Sequence, residues 1–121
     1  MASKKQIYEF AIKWCKKFKN QNTDYVELLD RLLTDDYVSV GFKVDCGHAF
    51  SEKYGLAAED CKALTEIIDE VTDVELLGSA VFSRWRYFNH WAYDGAAILE
   101  SQNREWFIIA LSRIAELTNE N

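Results

Sequence analysis

Two histidine–carboxylate pairs are the residues of this chain whose types and spacing best suit metal binding. His48 precedes Glu52 by four residues, and His90 precedes Asp94 by the same spacing. On a helix this spacing puts both groups on one face, so two such pairs meeting in a bundle can hold a divalent cation. Two local ion pairs or hydrogen bonds have the same pattern. We therefore predict no metal and no other cofactor, and keep these four residues as the alternative metal site.

A repeated acidic pair is the second candidate for chemistry. The sequence reads ELLD at residues 27–30 and EIID at residues 66–69. These pairs resemble motifs of the all-α nucleotide pyrophosphohydrolases, in which helical carboxylates hold magnesium on a triphosphate. The resemblance covers only these eight residues, and the gap between the pairs is longer than that family's pattern allows. The sequence has no P-loop, Gly-rich dinucleotide turn, HExxH or nucleophile elbow, so we predict a protein without enzymatic activity.

The densest group of side chains able to bind a partner lies in SAVFSRWRYFNHWAY, residues 79–93. A helical wheel places Trp85 and Phe88 on the buried side with Arg84 among them. A buried guanidinium needs a partner, which is either an acidic group such as Asp45 or an anionic ligand. The opposite side carries aromatic, arginine and amide groups. These are typical of interface hot spots, although another helix of the chain can also cover them. The predicted binding residues are Phe82, Arg84, Arg86, Asn89 and Tyr93.

Helical periodicity and capping signals predict the elements that position these groups. Ser3 and Gln6 form a capping-box pattern before an amphipathic helix at residues 4–19. Thr23 can cap a second helix that buries a leucine-rich stripe. Further helices are predicted at residues 58–71, 74–93 and 103–117, of which the last is apolar almost all round and therefore central. The chain has five glycines and no proline, and the glycines divide it into segments of helical length.

Residues 35–45, DDYVSVGFKVD, fit two periodicities at once. Val38, Val40, Phe42 and Val44 alternate as in a strand, yet a helical face is also present. A strand needs a partner, and the only other candidate is the short VTDVELL, so we favour a helix that continues the second one. The predicted fold is therefore a single all-α domain over residues 1–121, a bundle of about five helices. The alternative is an α+β fold with a short strand near residues 37–44.

Charge is distributed unevenly along the 121 residues, whose formal net charge is −6. Residues 1–22 carry six lysines against Glu9 alone, whereas residues 24–75 carry fourteen carboxylates against four basic groups. An acidic middle disfavours nucleic acid, because affinity for nucleic acid comes largely from cationic contacts with phosphate. It suits a basic protein partner. The alternative is that the lysines of the first helix lie near the acidic middle or keep the protein soluble.

Cellular location is predicted from what the sequence lacks. The chain has no apolar run long enough for a membrane span and no secretory signal, which indicates a cytoplasmic protein. Three cysteines at irregular spacing, Cys15, Cys46 and Cys61, fit a reducing compartment, so we predict free thiols. The lysines of the first helix do not indicate membrane binding, because a core-facing helix of a soluble bundle has the same pattern.

Three segments, GFKVDCGHAF, FSRWRYFNHW and NREWFIIALSRIAEL, resemble small uncharacterised proteins of Gram-positive anaerobes. No activity is attached to that family, so the resemblance implies none. Small acidic proteins that block a larger partner, such as immunity proteins or phage-encoded inhibitors of bacterial defence, share this size and charge. The expected function is therefore non-enzymatic binding of a protein partner, with self-association left open. The rival is a small-ligand binder or metal-dependent nucleotide hydrolase.

Overall fold

The computed structural model describes residues 3–20, 41–42, 48–55, 60–90 and 100–120, without the side chains of residues 89, 90 and 101. Within these ranges the chain forms five α-helices and one 3₁₀ turn, and no strand. The expected all-α fold is therefore confirmed. The helices are α1 (Lys4–Lys19), α2 (His48–Tyr54), α3 (Cys61–Ile67), α4 (Val74–His90) and α5 (Ser101–Thr118), and the 3₁₀ turn (Ile68–Glu70) follows α3.

Helix α1 has the bounds that the sequence predicts. The Ser3 side chain accepts a hydrogen bond from the Gln6 backbone N–H at 3.2 Å, and the Gln6 side chain accepts one from the Ser3 N–H at 2.9 Å. This capping box satisfies two of the N–H groups that the first turn of a helix leaves unpaired. The buried stripe contains the five residues that the periodicity indicates, and Cys15 in addition: Ile7, Phe10, Ala11, Trp14, Cys15 and Phe18.

Aspartates begin the two helices in the middle of the chain. Asp60 caps α3 by accepting a hydrogen bond from the Ala63 N–H at 2.6 Å, so this helix starts three residues later than predicted. Asp73 accepts a hydrogen bond from the Leu76 N–H at 3.1 Å in the first turn of α4. Helix α4 continues to His90, and α5 runs slightly beyond its predicted bounds at both ends.

One expectation about the segment before residue 55 was wrong, and one helix in it was not predicted. A helix was expected through residues 35–45, but Gly41 and Phe42 belong to neither helix nor strand. Gly41 has φ 75°, a left-handed conformation that a continuous right-handed helix excludes. Helix α2 was not predicted at all, because its seven residues bury only Phe50 and show no periodic stripe. The helix expected after Thr23 lies outside the described residues.

The core lies where α1, α4 and α5 meet, and it is dominated by aromatic rings. Helix α5 packs against α1, α3 and α4, as its nearly all-round apolar sequence predicts. Trp14 of α1 meets Trp85 of α4 edge to face at 5.1 Å between ring centroids. Phe18 stacks on Phe107 of α5 at 4.7 Å. Each large ring removes much apolar area from water, so these contacts fix the relative positions of the three longest described helices.

Candidate functional site

Phe82 is in the core and not on the surface stripe where the sequence analysis placed it. Its side chain is fully buried. The Phe82 ring lies 5.8 Å from the Phe10 ring and 5.6 Å from the Phe42 ring, centroid to centroid, and stacks on Trp85 at 6.4 Å. The expectation that Phe82 lies on an exposed side of α4 is therefore wrong. Asn89 has no described side chain, and Tyr93 lies outside the described residues.

The first half of α4 is covered on all sides, which explains the misplacement of Phe82. Six consecutive residues, 77–82, are buried, so no wheel can assign them to one face. Phe42 closes one side by lying against the backbone of Gly78. A Cβ atom added to Gly78 would lie 2.6 Å from the Phe42 ring. Gly78 thus lets the Phe42 ring approach the backbone of α4. Gly55 has a different role: it follows the end of α2 with φ 90°, a left-handed conformation that favours glycine.

Arg84 lies at the edge of the buried arc of α4, half-buried, and not at its centre as expected. Its guanidinium carbon lies 4.7 Å above the centroid of the Trp106 ring and 5.9 Å from that of Phe88. The Arg84 Nη2 also donates a long hydrogen bond, 3.4 Å, to Oδ1 of Asn103. The charge is held over aromatic faces that attract cations electrostatically. Asp45, the acidic partner considered from the sequence, lies outside the described residues.

The exposed part of α4 carries Arg86 and Tyr87. Tyr87 is 56% exposed, the higher value of the two exposed large hydrophobic side chains in the described chain. Its ring leans edge-on against Phe88 at 5.5 Å. Arg86 is exposed as expected. We call Arg86 and Tyr87 the α4 patch; Arg84, one turn before Tyr87, lies at its edge. Tyr87 was not predicted as a surface residue, because in the sequence it stands among aromatic residues that are typical of a core.

The histidine–carboxylate pairs are only half described. His48 and Glu52 are both exposed on α2, one turn apart. The side chain of His90 and all of Asp94 lie outside the described residues. Among the residues that the structure describes, no group of three or more His, Cys, Asp or Glu side chains is placed to hold a metal ion. The acidic pair Glu66 and Asp69 is exposed, and the pair at residues 27–30 is not described.

Two of the three cysteines are described, and both are free thiols. Cys15 is buried between α1 and α5, with its Sγ 3.3 Å from the Oγ of Ser112. Burial, reinforced by the nearby Glu105 carboxylate, raises the pKa of the Cys61 thiol. A thiol with a raised pKa is protonated at neutral pH and is a poor nucleophile. Cys61 packs against the core as a free thiol, as expected; Cys46 is not described.

Arg113 makes three polar contacts with its guanidinium, and it was not among the residues predicted from the sequence. Its Nε donates to the Val71 carbonyl at 2.9 Å, and its Nη2 donates to the Asp69 carbonyl at 3.1 Å. Its Nη1 pairs with the Glu116 carboxylate at 2.9 Å. The guanidinium thus fixes the 3₁₀ turn against α5 by binding carbonyls that the turn leaves without helical partners. These contacts give Arg113 a structural role.

Comparison with protein families, with curated proteins and with solved structures finds no match for this chain. Among the described residues, no helix combines the length and the apolar character that a membrane crossing requires.

Proposed function

We propose that this chain is a non-enzymatic protein-binding domain that contacts its partner through the α4 patch. The observation that carries the proposal is the 56% exposure of Tyr87 beside the exposed guanidinium of Arg86. Tyrosine and arginine are over-represented among the residues that dominate binding energy at protein interfaces. An exposed tyrosine ring offers a large apolar contact and a hydroxyl at low cost in conformational entropy.

The chemistry of the patch favours a protein over a small ligand. Arg84 already rests on Trp106, and that contact leaves the guanidinium ordered at the edge of the patch. An ordered arginine loses little conformational freedom when a partner binds, so more of the contact energy appears as affinity. The net charge of the chain, −6, attracts a partner of net positive charge and makes association weaker at high salt. At the contact itself Arg86 needs a carboxylate or carbonyl acceptor on that partner. An inhibitor or immunity-type role belongs to this class of function.

Affinity capture with matched variants tests the proposal. The baits are the wild-type full chain, an Arg86→Ala/Tyr87→Ala variant and a control with two exposed residues changed elsewhere, Lys62→Ala/Gln102→Ala. Circular dichroism first checks that all three fold equally. We expect at least one protein from the source cell that the wild type and the control retain and the α4 variant loses. For that purified partner we expect a loss of roughly 30-fold in affinity, since a hot-spot truncation costs about 2 kcal/mol.

Recovery of the same proteins by all three baits would show that the α4 patch is not the binding surface. The rival function has its own readout in a thermal-shift screen of nucleotides with and without divalent metals. A nucleotide that raises the melting temperature of the wild type, or a metal bound in stoichiometric amount, would favour the ligand-binding or hydrolase alternative. His48→Ala would then reduce that shift if the histidine pair holds the metal.

A further inference from the structure

We draw no further inference here: the strongest candidate, the N-terminus of α5, where the Glu100 side chain does not cap the helix and the half-buried Arg104 lies in the first turn, is a helix end at which nothing in the described part of the chain points to a ligand.

Discussion

Helices α1 and α4 are nearly equal in length, but a helical wheel places the side chains of α1 correctly and misplaces Phe82 and Arg84 of α4. In α1 the buried stripe and the solvent face lie on opposite sides, and Ile12 is exposed where the periodicity puts it. In α4 residues 77–82 are all buried, while Arg84 moves to the edge of the buried arc. The difference lies in the neighbours. The core covers α1 on one side, whereas α2 and Phe42 give α4 additional cover.

The largest expected effect is at Phe82, where the wheel fails. Phe82→Ala should destabilise the fold by about 3–5 kcal/mol, because it removes a fully buried ring and leaves a cavity among Phe10, Phe42 and Trp85. Ile12→Ala in α1 should change stability by less than about 0.5 kcal/mol. Urea denaturation followed by circular dichroism measures both. If the urea midpoint of Phe82→Ala were close to that of the wild type, Phe82 would have to lie on the surface of α4 and not in the core.

Local signals explain why α1 was predictable. Its capping box lies within four residues, and its stripe repeats over several turns, so bounds and orientation follow from neighbouring sequence. Helix α2 lacked both signals, since its seven residues bury Phe50 alone. The Arg113 contacts with the Asp69 and Val71 carbonyls join backbone and side chain across more than forty positions. Such contacts depend on how helices pack, which no single stretch of sequence contains.

Gly78 provides a second test of how completely α4 is covered, and we expect its substitution to have an intermediate effect on stability. In an ordinary helix, replacing glycine by alanine stabilises the fold by about 1 kcal/mol. In α4 the added methyl group would lie 2.6 Å from the Phe42 ring, which is itself buried against Phe82. Overpacking costs about 1–3 kcal/mol, so Gly78→Ala should destabilise by roughly 1–2 kcal/mol. Thermal or urea unfolding gives the value.

A double-mutant cycle isolates the cause of the Gly78 effect. Phe42→Leu destabilises on its own, but it makes room for the methyl group. In that background Gly78→Ala should be neutral or stabilising, so the two changes should couple by about 1–3 kcal/mol. Additive effects would mean that Phe42 does not cover α4 at Gly78. The contact between Phe42 and Gly78 would then not explain why the helical wheel misplaces Phe82.

The candidate site was predictable in part. The exposure of Arg86 followed from the sequence, but the contact partners of Arg84 did not. Arg86 is exposed as the wheel indicates, because it lies beyond the completely covered part of α4. Arg84 was correctly expected to touch the core, but the nearer of its two aromatic neighbours, Trp106, belongs to another helix. The rings of Trp106 and Phe88 hold its guanidinium. The sequence indicates that an arginine beside apolar residues needs a partner, but tertiary packing selects the partner.

The smallest change in stability is expected for substitution of Arg84. Its size distinguishes a cation held over an aromatic ring from a buried ion pair. Arg84→Met keeps an apolar stem over Trp106 and removes the charge, so it should destabilise by about 0.5–2 kcal/mol, the range for a cation over an aromatic face. Arg86→Met on the exposed side should leave the urea midpoint unchanged. In a Trp106→Leu background the cost of Arg84→Met should largely disappear, because the ring that attracts the charge is gone. A loss of about 3 kcal/mol or more that persists in this background would instead indicate a carboxylate left without its cation. The edge of α4 would then be held by an ion pair, and its arginine would be less free to contact a partner.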